Sequence, residues 1–393
     1  MSFVASFQSI KELKPFKPPK CDIDNGVFKL HYRWTMAILM VSTILVTSRQ
    51  YIGEHIRCIA DKGVPEHVMN TFCFFTTTFT VIKHMNSTSL DAKSIPHPGV
   101  GPMSYEVDPV KRHAYYQWVP FVLFGQALMF CITKFIWKKL EGNKIKALAD
   151  GLQSAAYAFL EKPMVTKKDE KEYKIPTKAD RQKAIEQIRK AFMDRMYING
   201  RWSIYLIGCE FLNVLHVLLQ FYITNKFLND KFYDLGPTMI REGLEDSVTV
   251  LDEVFPKVTK CNFHKYGPSG SIQLHDAMCV MALNIVNEKI YGFLWFWFMF
   301  LLIASVSAVI WRGLTIFLHA KSKAFNRFVF SNTCPGKLNP WENLTVSRHC
   351  NYTDWLFLKY LSKNIDGLVF KEVFLGIAED LEEKKPLIDI ESN

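Results

Sequence analysis

Four of the nine cysteines, Cys58, Cys73, Cys261 and Cys279, fall into two pairs with fourteen and seventeen intervening residues. Such thiols can bond to one another where the compartment is oxidising, or hold a metal as thiolates. Structural metal sites favour closely spaced CxxC-type pairs, and neither separation has that form. Disulfides are therefore expected, with three connectivities open and no metal. A second set, Glu210, Asn213, His216 and Gln220, is spaced three, three and four apart and shares one helix face. Ionisable groups at membrane depth point to function by default, but interhelical hydrogen bonding suits these side chains better. No nucleotide-binding loop, hydrolase elbow or intramembrane metal motif occurs, and His275-Asp276 reads as loop structure. Neither an enzyme nor a cofactor is expected.

The elements that must position these groups follow from composition. The chain has 393 residues, 14% of them aromatic with 31 Phe, and 22% charged. Apolar residues are bunched rather than spread at strand or helix period, which favours a membrane protein with charged loops. Four stretches have the roughly 20 apolar residues that a spanning helix needs: 28–48, 115–137, 202–223 and 289–311. Between them lie an N-terminal segment 1–27, loops 49–114, 138–201 and 224–288, and a C-terminal region 312–393. Tyr115, Tyr116 and Trp118 read as one membrane interface and Trp137 with Lys138 and Lys139 as the other, with Lys134 snorkelling outward. Pro120 and Gly125 are tolerated within the span and can kink it.

Basic residues orient the spans. Loop 138–201 holds sixteen Lys/Arg against nine Asp/Glu, whereas residues 49–112 hold seven against six and residues 224–288 six against nine. The positive-inside rule puts both termini and the middle loop in the cytoplasm and the cysteine pairs outside. The net charge of +10 is thus mainly a topology signal, and no motif supports nucleic-acid binding. The first span acts as an uncleaved anchor. Pro268-Ser269-Gly270 is a turn signal between two short strands, so the outward portion reads as a small α/β cap. Asn86 begins an outward N-glycosylation sequon, and those at Asn343 and Asn351 face the cytoplasm and stay silent. The middle loop carries two helical patterns, at 150–162 and 178–198, joined by a solvated charged stretch. The tail is amphipathic from Trp355, with Gly367 and Gly376 as breaks and no structure expected after about Glu382.

These features resemble one family, the innexins. The resemblance rests on Tyr115-Tyr116-Gln117-Trp118-Val119, followed by Pro120, where the second span begins. It rests equally on "TSRQYIGEHIRC", "CNFHKYGPSGSIQLHDAMC", "LNIVNEKIYGFLWFWF" and "DWLFLKYLSKNIDGLVF", in order along nearly the whole chain. The fold class is then a mainly α membrane protein: a four-transmembrane-helix bundle per protomer, with a disulfide-linked α/β extracellular cap and a helical cytoplasmic dome. The resemblance implies a homo- or hetero-oligomeric ring with other innexins, an octamer in this family, that docks to an opposing ring at a gap junction in the plasma membrane. It also implies a fold similar to that of connexins and pannexins.

A four-helix protomer is filled by its own side chains, so any wide pore must lie between protomers. The first span, with Ser42, Thr43 and Thr47, is the expected wall. The N-terminal "MSFVASFQSI" places Phe3, Val4, Phe7 and Ile10 on one side, and in the family this segment folds into the pore mouth. Two other functions are open. One is a non-junctional hemichannel, which an occupied Asn86 would favour. The other is a four-span adhesion or scaffold protein of the claudin kind that needs a co-subunit to conduct.

Overall fold

The computed structural model describes residues 21–52, 56–60, 63–85, 95, 97–104, 107–149, 164–168, 171–175, 177–196, 200–242, 250–333 and 340–383. Four helices are long and apolar enough to cross a membrane: α1 (Gly26–Gln50), α3 (Val119–Glu141), α6 (Gly200–Phe227) and α9 (Ala282–Leu318). On α1 the residues Phe28, His31, Thr35, Leu39, Ser42 and Val46 recur every three or four positions and are all buried, giving one inward stripe. Its turns over Leu30–Thr35 are π-helical. Pro120 sits in the first turn of α3, where its missing N–H has no intrahelical partner to lose. It starts the helix instead of kinking it. At 37 residues, α9 is about 55 Å long and begins seven residues before the expected span. Asn284 Nδ2 donates to Pro256 O at 2.9 Å, and Glu288 pairs with Lys257 at 3.5 Å, while the helix continues through both residues.

The chain forms two compact units, and the boundary between them passes through each of the four long helices. One unit comprises Leu30–Ile132 and Val214–Ala304. It contains strands β1 (Arg57–Ala60), β2 (Thr78–Val81), β3 (Val110–His113), β6 (Val258–Tyr266) and β7 (Ile272–Val280). These form an antiparallel sheet in the order β1-β7-β6-β2-β3. The β6–β7 hairpin runs in register from Val258↔Val280 to Tyr266↔Ile272. Its turn is closed by Gly267 N donating to Ser271 O at 2.8 Å, with Gly270 at φ 77°. The unit also contains the short α-helices α2 (Glu66–Thr76), α7 (Phe232–Glu242) and α8 (Val250–Val254). Among the long helices, Phe130 of α3 meets His31 of α1, His216 of α6 and Phe298 of α9 at ring distances of 5.8, 4.6 and 6.0 Å. All four long helices therefore pack around one aromatic side chain.

The other unit comprises the described residues of Met1–Lys29, Thr133–Asn213 and Ser305–Asn393. It adds α4 (Lys144–Ala149), strands β4 (Met164–Lys168) and β5 (Lys171–Ile175), α5 (Lys178–Arg195), α10 (Lys323–Thr333), α11 (Pro340–His349), α12 (Tyr352–Asn364) and α13 (Gly367–Glu383). The charged stretch expected to be a solvated link contains the antiparallel β4–β5 pair instead, from Met164↔Ile175 to Lys168↔Lys171. Residues 150–162 lie outside those described. Thr177 caps α5: Asp180 N donates to Thr177 Oγ1 and Thr177 N to Asp180 Oδ2, both at 3.2 Å. The tail breaks between α12 and α13, where Leu368 N donates to Asp366 Oδ1 at 2.9 Å. Gly376 is no break. It lies inside α13, where a Cβ would come within 2.8 Å of Arg189 Cδ, and Arg189 pairs with Asp380 at 2.9 Å.

Candidate pore and docking elements

The cysteines pair as Cys58–Cys279 and Cys73–Cys261. Strand register explains the first bond, because Cys58 and Cys279 are direct partners on β1 and β7. The second fastens α2 onto β6, and Cys58 N donates to Asn70 Oδ1 at 2.7 Å, tying α2 to β1 as well. All four cysteines are buried. The sulfurs of Cys58, Cys73 and Cys279 lie within metal-sharing distance of one another, but sulfurs committed to disulfides offer no thiolate. Two bonds thus fasten β1 and α2 to the β6–β7 hairpin.

The Tyr115–Pro120 motif works differently from its sequence reading. Tyr115–Gln117 form one 3-10 turn between β3 and α3. Tyr116 is fully buried, and its hydroxyl donates to Phe74 O at 3.2 Å. Gln117 Nε2 donates to the same carbonyl at 2.7 Å. That carbonyl belongs to the last turn of α2, where helix carbonyls lack intrahelical donors. The motif therefore caps the helix that carries Cys73. Tyr115 packs edge-on against Phe227 and Phe255 at 6.4 and 6.0 Å. Only Trp118, at 60% exposure, and not the two tyrosines, is free to meet headgroups. Val119 and Pro120 are buried in the first turn of α3.

The expected inner interface is corrected in the same way. Trp137 is fully buried, donates from Nε1 to Ile23 O at 3.2 Å and packs on Trp202 at 5.5 Å. Lys134 does not snorkel outward but pairs with Asp24, whose side chain has no exposure. A carboxylate buried that deeply needs a cation beside it, and this requirement outweighs hydration of the lysine. Asp22 is held beside it, with Lys29 at 2.5 Å and Lys363 at 2.8 Å. Burial pushes the Asp22 carboxyl up, but hydrogen bonds and charge from these lysines more than offset this and keep it below its usual value. Asn364 closes the clamp, accepting from Asp22 N at 2.5 Å and donating to Asp22 O at 3.0 Å. The chain following the N-terminal segment is therefore fastened to the end of α12.

Of the expected pore residues on α1, Ser42 is on the buried stripe with Leu39 and Val46, so it faces its own bundle. Thr43 and Thr47 are half-buried one turn apart, and Thr43 Oγ1 donates to Leu39 O at 2.8 Å. The hydroxyls at 42, 43 and 47 cannot share a face at 100° per residue. Phe3, Val4, Phe7 and Asn86 lie outside the described residues. Glu210 accepts from Arg312 Nε at 2.8 Å and Nη2 at 2.5 Å, and from Asn25 Nδ2 at 2.6 Å. This agrees with interhelical bonding. Arg312 escaped the sequence reading, although a lone arginine closing the longest apolar run was its signal. His216 bonds Gln220 at 3.0 Å on its own helix, while Gln126 Nε2 of α3 donates to Thr224 of α6 at 2.8 Å. Burial, with the Arg312 charge nearby, pulls the Lys359 ammonium down to about 8.

Comparison with known proteins agrees with this architecture. The Innexin family model matches residues 24–381. The chain is 47% identical over 378 residues to Innexin inx7 of Drosophila melanogaster, covering 95% of this chain and 84% of that protein. It is 39% identical over 383 residues to Innexin inx2 of Schistocerca americana, covering 96% and 98%. It is 33% identical over 384 residues to Innexin shaking-B of Drosophila melanogaster, covering 95% and 94%. With a family match running from just before the first long helix into α13, this chain belongs to the innexin family.

Proposed function

We propose that this chain is a gap-junction channel subunit that passes ions and small solutes passively between adjacent cells. The observation that supports the reading is the doubly bonded unit of β1, α2, β6 and β7 in an innexin-family chain with four membrane-length helices. A rigid loop pair loses little conformational freedom when it meets an identical unit on an opposing ring. In this reading the sheet is extracellular and both termini are cytoplasmic. The pore lies between protomers of an octameric ring, homomeric or mixed with other innexins, at the plasma membrane. Thr43, Thr47 and the segment bearing Phe3, Val4 and Phe7 line it, and Ser42 supports the helix from behind.

Dye transfer between paired cells expressing only this chain tests the reading. Transfer is expected. Uptake by single cells without transfer would instead support a hemichannel, the second reading, which the Asn86 sequon favours because a glycan there would obstruct docking. Neither transfer nor uptake, with the protein at the surface, would overturn the conducting role of the chain alone.

A further inference from the structure

We propose that the exposed face of α10 is a binding surface for anionic phospholipid headgroups, in the leaflet at the C-terminal end of α9. On the last part of α9, Val306, Ile310, Trp311, Leu314 and Phe317 are exposed. They form an apolar stripe that no other described residue of this chain covers, and the 70% exposed Phe317 is its last member. The chain turns at residues 319–321, and α10 starts at Lys323. Its position is thus the level at which hydrocarbon gives way to headgroups.

The face of α10 fits that level. Val329 and Phe330 are buried, with Phe330 packed on Trp355, Phe370 and Phe374. Lys323, Ala324, Arg327, Phe328 and Ser331 project from the other side and line an open groove of about 440 Å³. Lys321 is exposed just before them. Three cations thus flank one exposed phenylalanine, the combination by which an interfacial helix holds to a charged membrane surface. No Asp or Glu occurs in the sequence from Lys289 to Trp341. Among the described residues, no carboxylate forms an ion pair with Lys321 or Arg327. The charge of Lys321 and Arg327, which no described carboxylate pairs, suits the face to an anionic lipid. A basic cluster immediately beyond a membrane helix attracts such lipids and loses them with added salt.

The test uses the full-length protein in nanodiscs of phosphatidylcholine doped with a bis-phosphorylated phosphatidylinositol, with retained lipid per chain read by native mass spectrometry. Lys321→Gln with Arg327→Gln is expected to weaken retention by about fivefold per charge removed. Ser331→Glu, which alters the same face without touching the core, is expected to weaken it as well. Retention by the unaltered chain should fall with rising salt, and phosphatidylcholine alone should not distinguish the variants. Unchanged retention in both variants would overturn the proposal. So would disassembly of the ring by the variants in phosphatidylcholine alone, which would make the face a contact between copies of the chain.

Discussion

Replacing Arg312 by Met leaves the Glu210 carboxylate, 3% exposed, with Asn25 as its remaining partner. Removing one member of a buried ion pair costs about 3–5 kcal/mol, because the survivor stays charged and desolvated. Glu210→Gln is expected to fall at the lower end of that range. The Gln carbonyl can still accept one bond from Arg312, and the guanidinium keeps the Tyr352 hydroxyl at 3.4 Å. The double change, Glu210→Gln with Arg312→Met, removes both charges while the Gln side-chain oxygen still accepts from Asn25 Nδ2, a loss of about 1–3 kcal/mol. The two changes together should therefore cost less than either charge left alone. The assay is a double-mutant cycle on the detergent-purified assembly, unfolded by a graded denaturing detergent and read by loss of Trp fluorescence. Additive losses, with the double variant as unstable as the sum of the singles, would refute the claim that the two charges are held for one another.

Three further outcomes follow from other sites. Burial, with the neighbouring Lys111 charge and against the pull of Glu253, lowers His113 from 6.5 to about 4. The unfolded chain then takes up the proton first, so stability present above pH 6.5 should be lost as pH falls toward 4. His113→Gln should flatten that loss in an acid-unfolding titration, and a profile as steep as that of the unaltered chain would count against the burial argument. A Cβ at Gly236 would lie 2.2 Å from the Trp295 ring, whereas one at Gly125 meets open space. Gly236→Ala should lose about 1–3 kcal/mol to overpacking and Gly125→Ala should be tolerated, which thermal stability of the two purified variants checks. Tyr116→Phe should cost about 1 kcal/mol while non-reducing peptide mapping still finds Cys58 joined to Cys279 and Cys73 to Cys261. Scrambled pairing in that variant would make the hydroxyl a determinant of the bonds and not only a cap on α2.

Much of this architecture was legible because it rests on local pattern. Long apolar runs mark spanning helices whatever they pack against. The Pro268-Ser269-Gly270 turn announces its hairpin through backbone preferences of three neighbouring residues. The four cysteines declared their chemistry by spacing and their likeness to a family, and Glu210 announced a need for a partner by being charged within an apolar run. The misreadings share one origin. Tyr115, Tyr116 and Trp137 carry the amphipathic chemistry of a membrane interface. Whether such a ring meets a headgroup or a carbonyl depends on what the fold brings within hydrogen-bonding reach.

By itself, then, the sequence determined which segments avoid water, which thiols must pair and which family's pattern the chain follows, because burial propensity and turn chemistry belong to residues and their near neighbours. Tertiary structure alone decided that Cys58 takes Cys279, that Arg312 answers Glu210, and that Ser42 turns inward while Thr43 stands one helical step away. Those choices join positions as many as 221 residues apart. They are fixed by strand register and helix rotation, geometric quantities that exist only once the whole chain has packed.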